Sequence, residues 1–127
     1  MAVVIDDVAS YIATNSVGTV GTSLFKGYLP ESPNACVAVL DTGGSQPNPD
    51  IPTKEPTFQV MIRSTNYTTG RSKLDTIRSL LHRQANVELV SGQTYFYFIL
   101  AISEGGHLGR DDNGRDLFSI NFHCRTQ

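Results

Sequence analysis

The stretch 117–125 alternates without a break: Phe118, Ile120, Phe122 and Cys124 fall on one side, and Ser119, Asn121, His123 and Arg125 on the other. A period of two belongs to a β-strand, whose successive side chains point to opposite faces. The apolar face predicts contact with a core. A second segment, 57–63, repeats the pattern, with Phe58, Val60 and Ile62 against Thr57, Gln59, Met61 and Arg63. Two such strands predict a sheet with one face turned to a hydrophobic layer.

The remaining segments predict what supplies that layer. Residues 3–14 place Val4, Val8 and Ile12, with Ile5 and Ala9 beside them, at helical spacing, and Asp6 and Asp7 lie near the positive end of the dipole. In 71–82 the residues Leu74, Ile77, Leu80 and Leu81 form an apolar stripe. That helix starts near Thr69 or at the capping-box spacing Ser72 to Asp75, and Asn86 ends it. Strands are expected at 19–28, at 36–40 as a central apolar run, and at 87–90 and 93–103 around the turn Ser91-Gly92. The resulting order, α-β-β-β-α-β-β-β, predicts an α+β fold with a mainly antiparallel sheet packed on one face by two helices. At 127 residues the chain suits a single domain spanning 1–127. Residues 41–56 carry Gly43, Gly44, Pro47, Pro49, Pro52 and Pro56, which read as one long loop. It is expected to become ordered against a partner, with Pro47, Pro49 and Ile51 as candidate contacts.

Composition narrows function. The net charge of −2 gives no strong attraction to nucleic acid or an anionic membrane. The longest apolar run, 95–102, is under half of the roughly 20 residues of a spanning helix. No basic, apolar leader opens the chain, so residence in a cytoplasm is expected. Cys36 and Cys124 sit in apolar stretches and read as buried thiols. The histidines His82, His107 and His123 lack metal-ligand spacing, and His123 and Cys124, adjacent in a strand, point to opposite faces. No catalytic, metal or cofactor site is expected. The segment 105–116 fails the calcium-loop test, because counting back from Gly114 puts Gly109 at the first ligand position. Asn113-Gly114 instead signals a hairpin turn through residues that tolerate positive φ. In the aromatic run, Tyr95 and Tyr97 are expected on one side and Phe96 and Phe98 on the other, one side meeting the helices and one a neighbouring subunit.

Several stretches together resemble a known family. These are the short N-terminal helix, the strand Pro56-Thr57-Phe58-Gln59-Val60-Met61-Ile62-Arg63, the helix end Ile77-Arg78-Ser79-Leu80-Leu81-His82, and Leu108-Gly109-Arg110-Asp111-Asp112-Asn113-Gly114-Arg115 leading into Phe118-Ser119-Ile120-Asn121-Phe122. The chain is similar to the minor capsid or tail-completion proteins of long-tailed bacteriophages, which include tail terminators. Some relatives carry a proline shortly before the Leu-Gly stretch, where Glu104-Gly105-Gly106-His107 stands here.

The resemblance implies a non-enzymatic virion protein. It would form a homo-oligomeric ring, a hexamer, that caps the tail tube, docks the head connector or neck protein, and lets DNA pass without base readout. Alternatives are another neck or head-completion protein of the same fold, or a small enzyme with a loop site at His107, Asp111 and Asp112. Arg110, Asp111, Asp112 and Arg115 are expected to serve subunit or partner contact through ion pairs, together with Tyr95 and Tyr97. Arg115 is expected on an exposed turn, where its loss leaves the monomer folded.

Overall fold

The computed structural model describes residues 4–15, 18–44, 50 and 53–127. Helix α1 is Val4–Thr14, followed by strands β1 Leu24–Lys26, β2 Cys36–Gly44 and β3 Pro56–Ser64, then helix α2 Tyr67–Leu81. Strands β4 Gln84–Glu88, β5 Tyr95–Ala101, β6 Gly106–Arg110 and β7 Asp116–Thr126 complete the order. The strands form one sheet in the order β1-β2-β3-β7-β5-β4, and β6 pairs with β7 beside that path. Every pairing is antiparallel except β1 with β2. The α+β class and the order of helices and strand runs agree with expectation. The strand β6 is an addition, since its two glycines and bulge hide any period of two.

Strand β7 lies at the centre because it alone alternates over eleven residues. Along β3 it sets Phe58 opposite Phe122, Val60 opposite Ile120 and Ile62 opposite Phe118. The Phe58 and Phe122 rings stack at 5.0 Å. These six side chains are fully buried in one cluster with Val8, Ala9 and Ile12 of α1 and Leu74, Ile77 and Leu81 of α2. Both helices therefore cover the same face of the sheet. Each large side chain removed from water there contributes about 1.5–3 kcal/mol.

Local chemistry explains most boundaries. Asp7, in the first turn of α1, is buried, and its Oδ2 accepts the Thr94 N–H at 3.0 Å. Helix α2 begins earlier than the capping-box spacing suggests, because the Asn66 side chain caps it by accepting the Thr69 N–H at 3.2 Å. It ends at Leu81 rather than at Asn86. His82 is the C-cap, and Arg83 turns the chain with φ +70° into β4. His82 does not face solvent as a free polar residue; its Nδ1 accepts the Ala101 N–H at 2.9 Å.

Two expectations are corrected. Residues Asp41 to Gly44 are strand, paired with Phe58, Thr57 and Pro56 past a bulge, and Lys54 bridges Thr126. Most of the remaining segment, with Pro47, Pro49 and Ile51, lies outside the described residues. The second correction concerns β5, where a bulge between Phe96 and Phe98 breaks the alternation. Phe96 and Ile99 are fully buried, whereas Phe98 meets His123 at 5.4 Å and lies under the Arg125 guanidinium at 5.6 Å. Phe96 and Phe98 thus occupy opposite faces.

Gly70 in α2 shows packing overruling propensity. A Cβ there would collide with the Phe118 ring and press on Ser64. Helix propensity alone favours alanine by about 1 kcal/mol. Phe118 is fully buried and has nowhere to move. Gly70→Ala is therefore expected to destabilise the chain by about 1–3 kcal/mol, and a urea unfolding midpoint at or above that of the wild type would refute the packing argument.

Candidate functional site

The turn joining β6 to β7 is built by one carboxylate. Asp111 N donates to the Arg115 carbonyl at 2.9 Å, and Gly114 N to the Asp111 carbonyl at 3.0 Å. Gly114 takes φ +75°, whereas Asn113 is not among the residues of positive φ. The hairpin is the one expected from Asn113-Gly114, but it is a tight turn followed by a glycine bulge, in which only the glycine adopts the left-handed region. The Asp111 Oδ1 accepts the N–H groups of Asn113 at 3.0 Å and Arg115 at 2.9 Å, and its Oδ2 accepts Arg115 Nε at 2.8 Å. Those bonds, led by the Arg115 main-chain N–H, hold the Asp111 carboxyl below its ordinary value against the opposing effect of burial.

Arg115 corrects the expectation of an exposed turn arginine. Its side chain is 7% exposed. Beyond Asp111, its guanidinium donates to the Glu31 carbonyl, to Asn34 Oδ1 at 3.5 Å and to Glu31 Oε2 at 3.3 Å. One residue past the end of β6 pairing, this fork ties β7 to the segment 27–35 between β1 and β2. Arg63, also buried, binds the same segment through the Pro33 carbonyl at 2.7 Å and the Asn34 carbonyl at 3.4 Å. The contacts described for both arginines lie within one subunit.

Arg110 and Asp116 form the next layer. Asp116 is 2% exposed, and its Oδ1 receives His107 Nε2 at 3.0 Å and Arg110 Nε at 3.3 Å. Its Oδ2 is buried with no protein donor among the described residues. His107 packs edge-on to Tyr67 at 5.1 Å and against Phe118 at 5.0 Å. The Arg110 side chain remains 67% exposed, and Asp112 is exposed at the tip. Of His107, Asp111 and Asp112, His107 is bound to Asp116 and Asp111 to Arg115. Among the described residues no group of three or more His, Cys, Asp or Glu could hold a metal ion.

Tyr95 and Tyr97 lie elsewhere. Their rings meet edge to face at 5.1 Å, and the Tyr95 hydroxyl reaches Asn86 Oδ1 at 3.3 Å. Gln127 N donates to the Tyr95 carbonyl, and Phe96 pairs with Thr126. The tyrosines therefore mark the C-terminal end of β7, where Tyr95 borders a cleft of about 700 Å³ with Val4, Lys54, Glu88 and Thr126. The Arg110–Arg115 turn marks the N-terminal end. With a rise of about 3.3 Å per residue, the two groups are separated by roughly 30 Å. The sequence grouped them as one interface set, and the structure places them at opposite ends of the sheet. Glu31, Asn34, Arg63 and Asp116 were missed because their meeting depends on contacts distant in sequence, which no period displays.

Arg115→Ala removes the fork and leaves Asp111 without its side-chain partner. It is expected to destabilise the monomer by about 1–3 kcal/mol, measured by chemical unfolding; an unchanged midpoint would mean the clamp contributes nothing. Because the Asp111 pKa is lowered on folding, its contribution is complete above the ordinary value of 3.8 and lost as pH falls through the lower folded value. Asp111→Asn should accordingly flatten stability against pH below about 4, and a curve as steep as that of the wild type would assign the acid sensitivity to another group.

No curated protein matches the sequence. The family model described as bacteriophage tail terminator protein matches residues 11–127, nearly the whole chain, including both ends of β7 and the turn that precedes it. This chain, a phage tail structural protein, belongs to the bacteriophage tail terminator family.

Proposed function

We propose that the chain assembles into a closed homo-hexameric ring that caps the tail tube, joins it to the head connector or neck, and leaves a channel for DNA. The observation that carries this reading is the family match across residues 11–127. The geometry supports a two-sided part. A cap needs one surface for the tube and another for the connector, and the candidate contacts fall at opposite ends of β7. Arg110 and Asp112 stand exposed on a turn that Asp111 and Arg115 hold rigid from within. Tyr95 and Tyr97 offer large, partly exposed rings at the other end, of the kind enriched in interfaces. Pro47, Pro49 and Ile51 remain proposed contacts as well. A net charge of −2 suits a channel through which DNA slides, since a strongly basic lining would retain it.

Arg110 separates assembly from folding. The Arg110 side chain is 67% exposed, but its partner Asp116 is buried and would keep only His107, so Arg110→Ala should keep the wild-type circular dichroism while losing about 1–3 kcal/mol of monomer stability. Sedimentation at two salt concentrations should show the ring weakened and more salt-sensitive. Unchanged assembly of the folded variant would remove Arg110 from the interface. For the function itself, native mass should give six copies, and immobilised tail tube protein should capture the ring. A particle that binds connector protein and never tube protein would instead assign it to the neck or head-completion role.

A further inference from the structure

We propose that Asn113 is a site of spontaneous intramolecular modification, and that its conversion to iso-aspartate releases the arginine clamp between the β6–β7 turn and the segment 27–35. Asn113 is the one asparagine in the chain followed by glycine; the others precede Ser, Ala, Pro, Tyr, Val or Phe. Glycine matters because an amide side chain is attacked by the main-chain nitrogen of the next residue, and a Cβ on that residue obstructs the approach. Asn113 and Gly114 are both exposed at the hairpin tip, and nothing lies within 4 Å of where a Gly114 Cβ would stand. Both residues are open to solvent.

The chemistry needs only water. The Gly114 nitrogen, giving up its proton, bonds to Asn113 Cγ; the Cγ–Nδ2 bond breaks, and ammonia leaves carrying that proton. The cyclic imide then takes up water at either carbonyl. Opening on one side yields aspartate, and opening on the other yields iso-aspartate, in which the main chain runs through the former side chain. No oxidant or reductant enters, and one ammonia is exchanged for one water.

The structure determines both rate and consequence. Gly114 N–H is committed to the Asp111 carbonyl at 3.0 Å, and Asn113 N–H to Asp111 Oδ1 at 3.0 Å. The nitrogen must leave the first bond before it attacks, so the folded turn slows the reaction without preventing it, by about two- to tenfold for one such bond. Iso-aspartate adds a main-chain carbon between residues 113 and 114. That added atom displaces Gly114 from Asp111, whose carboxylate also holds Arg115 N and Nε. Arg115 is the link to Glu31 and Asn34. A change at an exposed tip thus reaches a buried guanidinium.

The test incubates the full chain at mildly alkaline pH, folded and in parallel unfolded in urea. The tryptic peptide from Asp111 to Arg115 is followed by mass, with fragmentation that distinguishes iso-aspartate from aspartate. Expected are conversion at Asn113 before any other asparagine, about two- to tenfold slower in the folded chain, and faster conversion in Asp111→Ala, whose turn is freed. The separated product should lose hydrogen-exchange protection at the Arg115 N–H, whereas Asn113→Ser, with no side-chain amide, should keep it. Earlier conversion at another asparagine, or none in the folded chain while the unfolded one converts, would overturn the site. Full protection of Arg115 in the iso-aspartate product would overturn the release.

Discussion

Strand β7 is the member on which the rest of the molecule depends. One of its edges is paired with β3 over most of its length, and the other is shared between β5 near its C-terminal end and β6 near its start. Its inward residues Phe118, Ile120, Phe122 and Cys124 meet β3 side chains beside them and the helices above. A one-residue slip of this strand would carry that whole set to the other face. Register along β7 therefore decides the core, the position of the hairpin and the seat of both helices together. Burial pushes the Cys124 thiol up to about 12, as fits a thiol enclosed in this layer.

The departures from regularity are where the fold gains its shape. The bulge in β5 keeps Phe96 and Ile99 in the core while sending Phe98 to the far face, where His123 and Arg125 flank it. A further bulge between His107 and Gly109 lets β6 begin and end its short pairing beside β7. Gly70 allows α2 to lie directly on Phe118. In each case a local preference yields to contacts made by residues far away in the chain, because packing over the central aromatic side chains is worth more than one strand position or one unit of helix propensity.

At the N-terminal end of β7, charge is used to fasten rather than to react. Asp111 organises the turn, Arg115 ties it to Glu31 and Asn34, and Asp116 gathers His107 and Arg110. Arginine suits this because its planar fork makes several hydrogen bonds at once and keeps its charge when buried. The result is a stiff turn, 110–116, whose exposed residues are Arg110, Asp112, Asn113 and Gly114. Stiffness of this kind limits the entropy lost when such a surface meets a partner, as the proposed ring contact would require.

Much of this was legible in the sequence. The strands β3 and β7, the helix containing Leu74 and Ile77, the α+β class and the hairpin at Asn113-Gly114 all follow from repeat distances and turn chemistry, which act over a few neighbouring residues. The family resemblance, carried by the stretch from Leu108 to Phe122, agrees with the match over residues 11–127. What tertiary structure alone decided was which charges became buried. Arg115 reads as a surface residue because its neighbours Asp111, Asp112 and Asp116 are charged, yet its place inside depends on Glu31 and Asn34, brought to it by pairing of β2 with β3 and β3 with β7. Likewise Tyr95 and the turn appear close in sequence, and the length of β7 holds them apart. Periodicity reports the face a residue occupies; only the packed sheet decides what stands opposite it, because those partners come from segments whose separation in the chain carries no local signal.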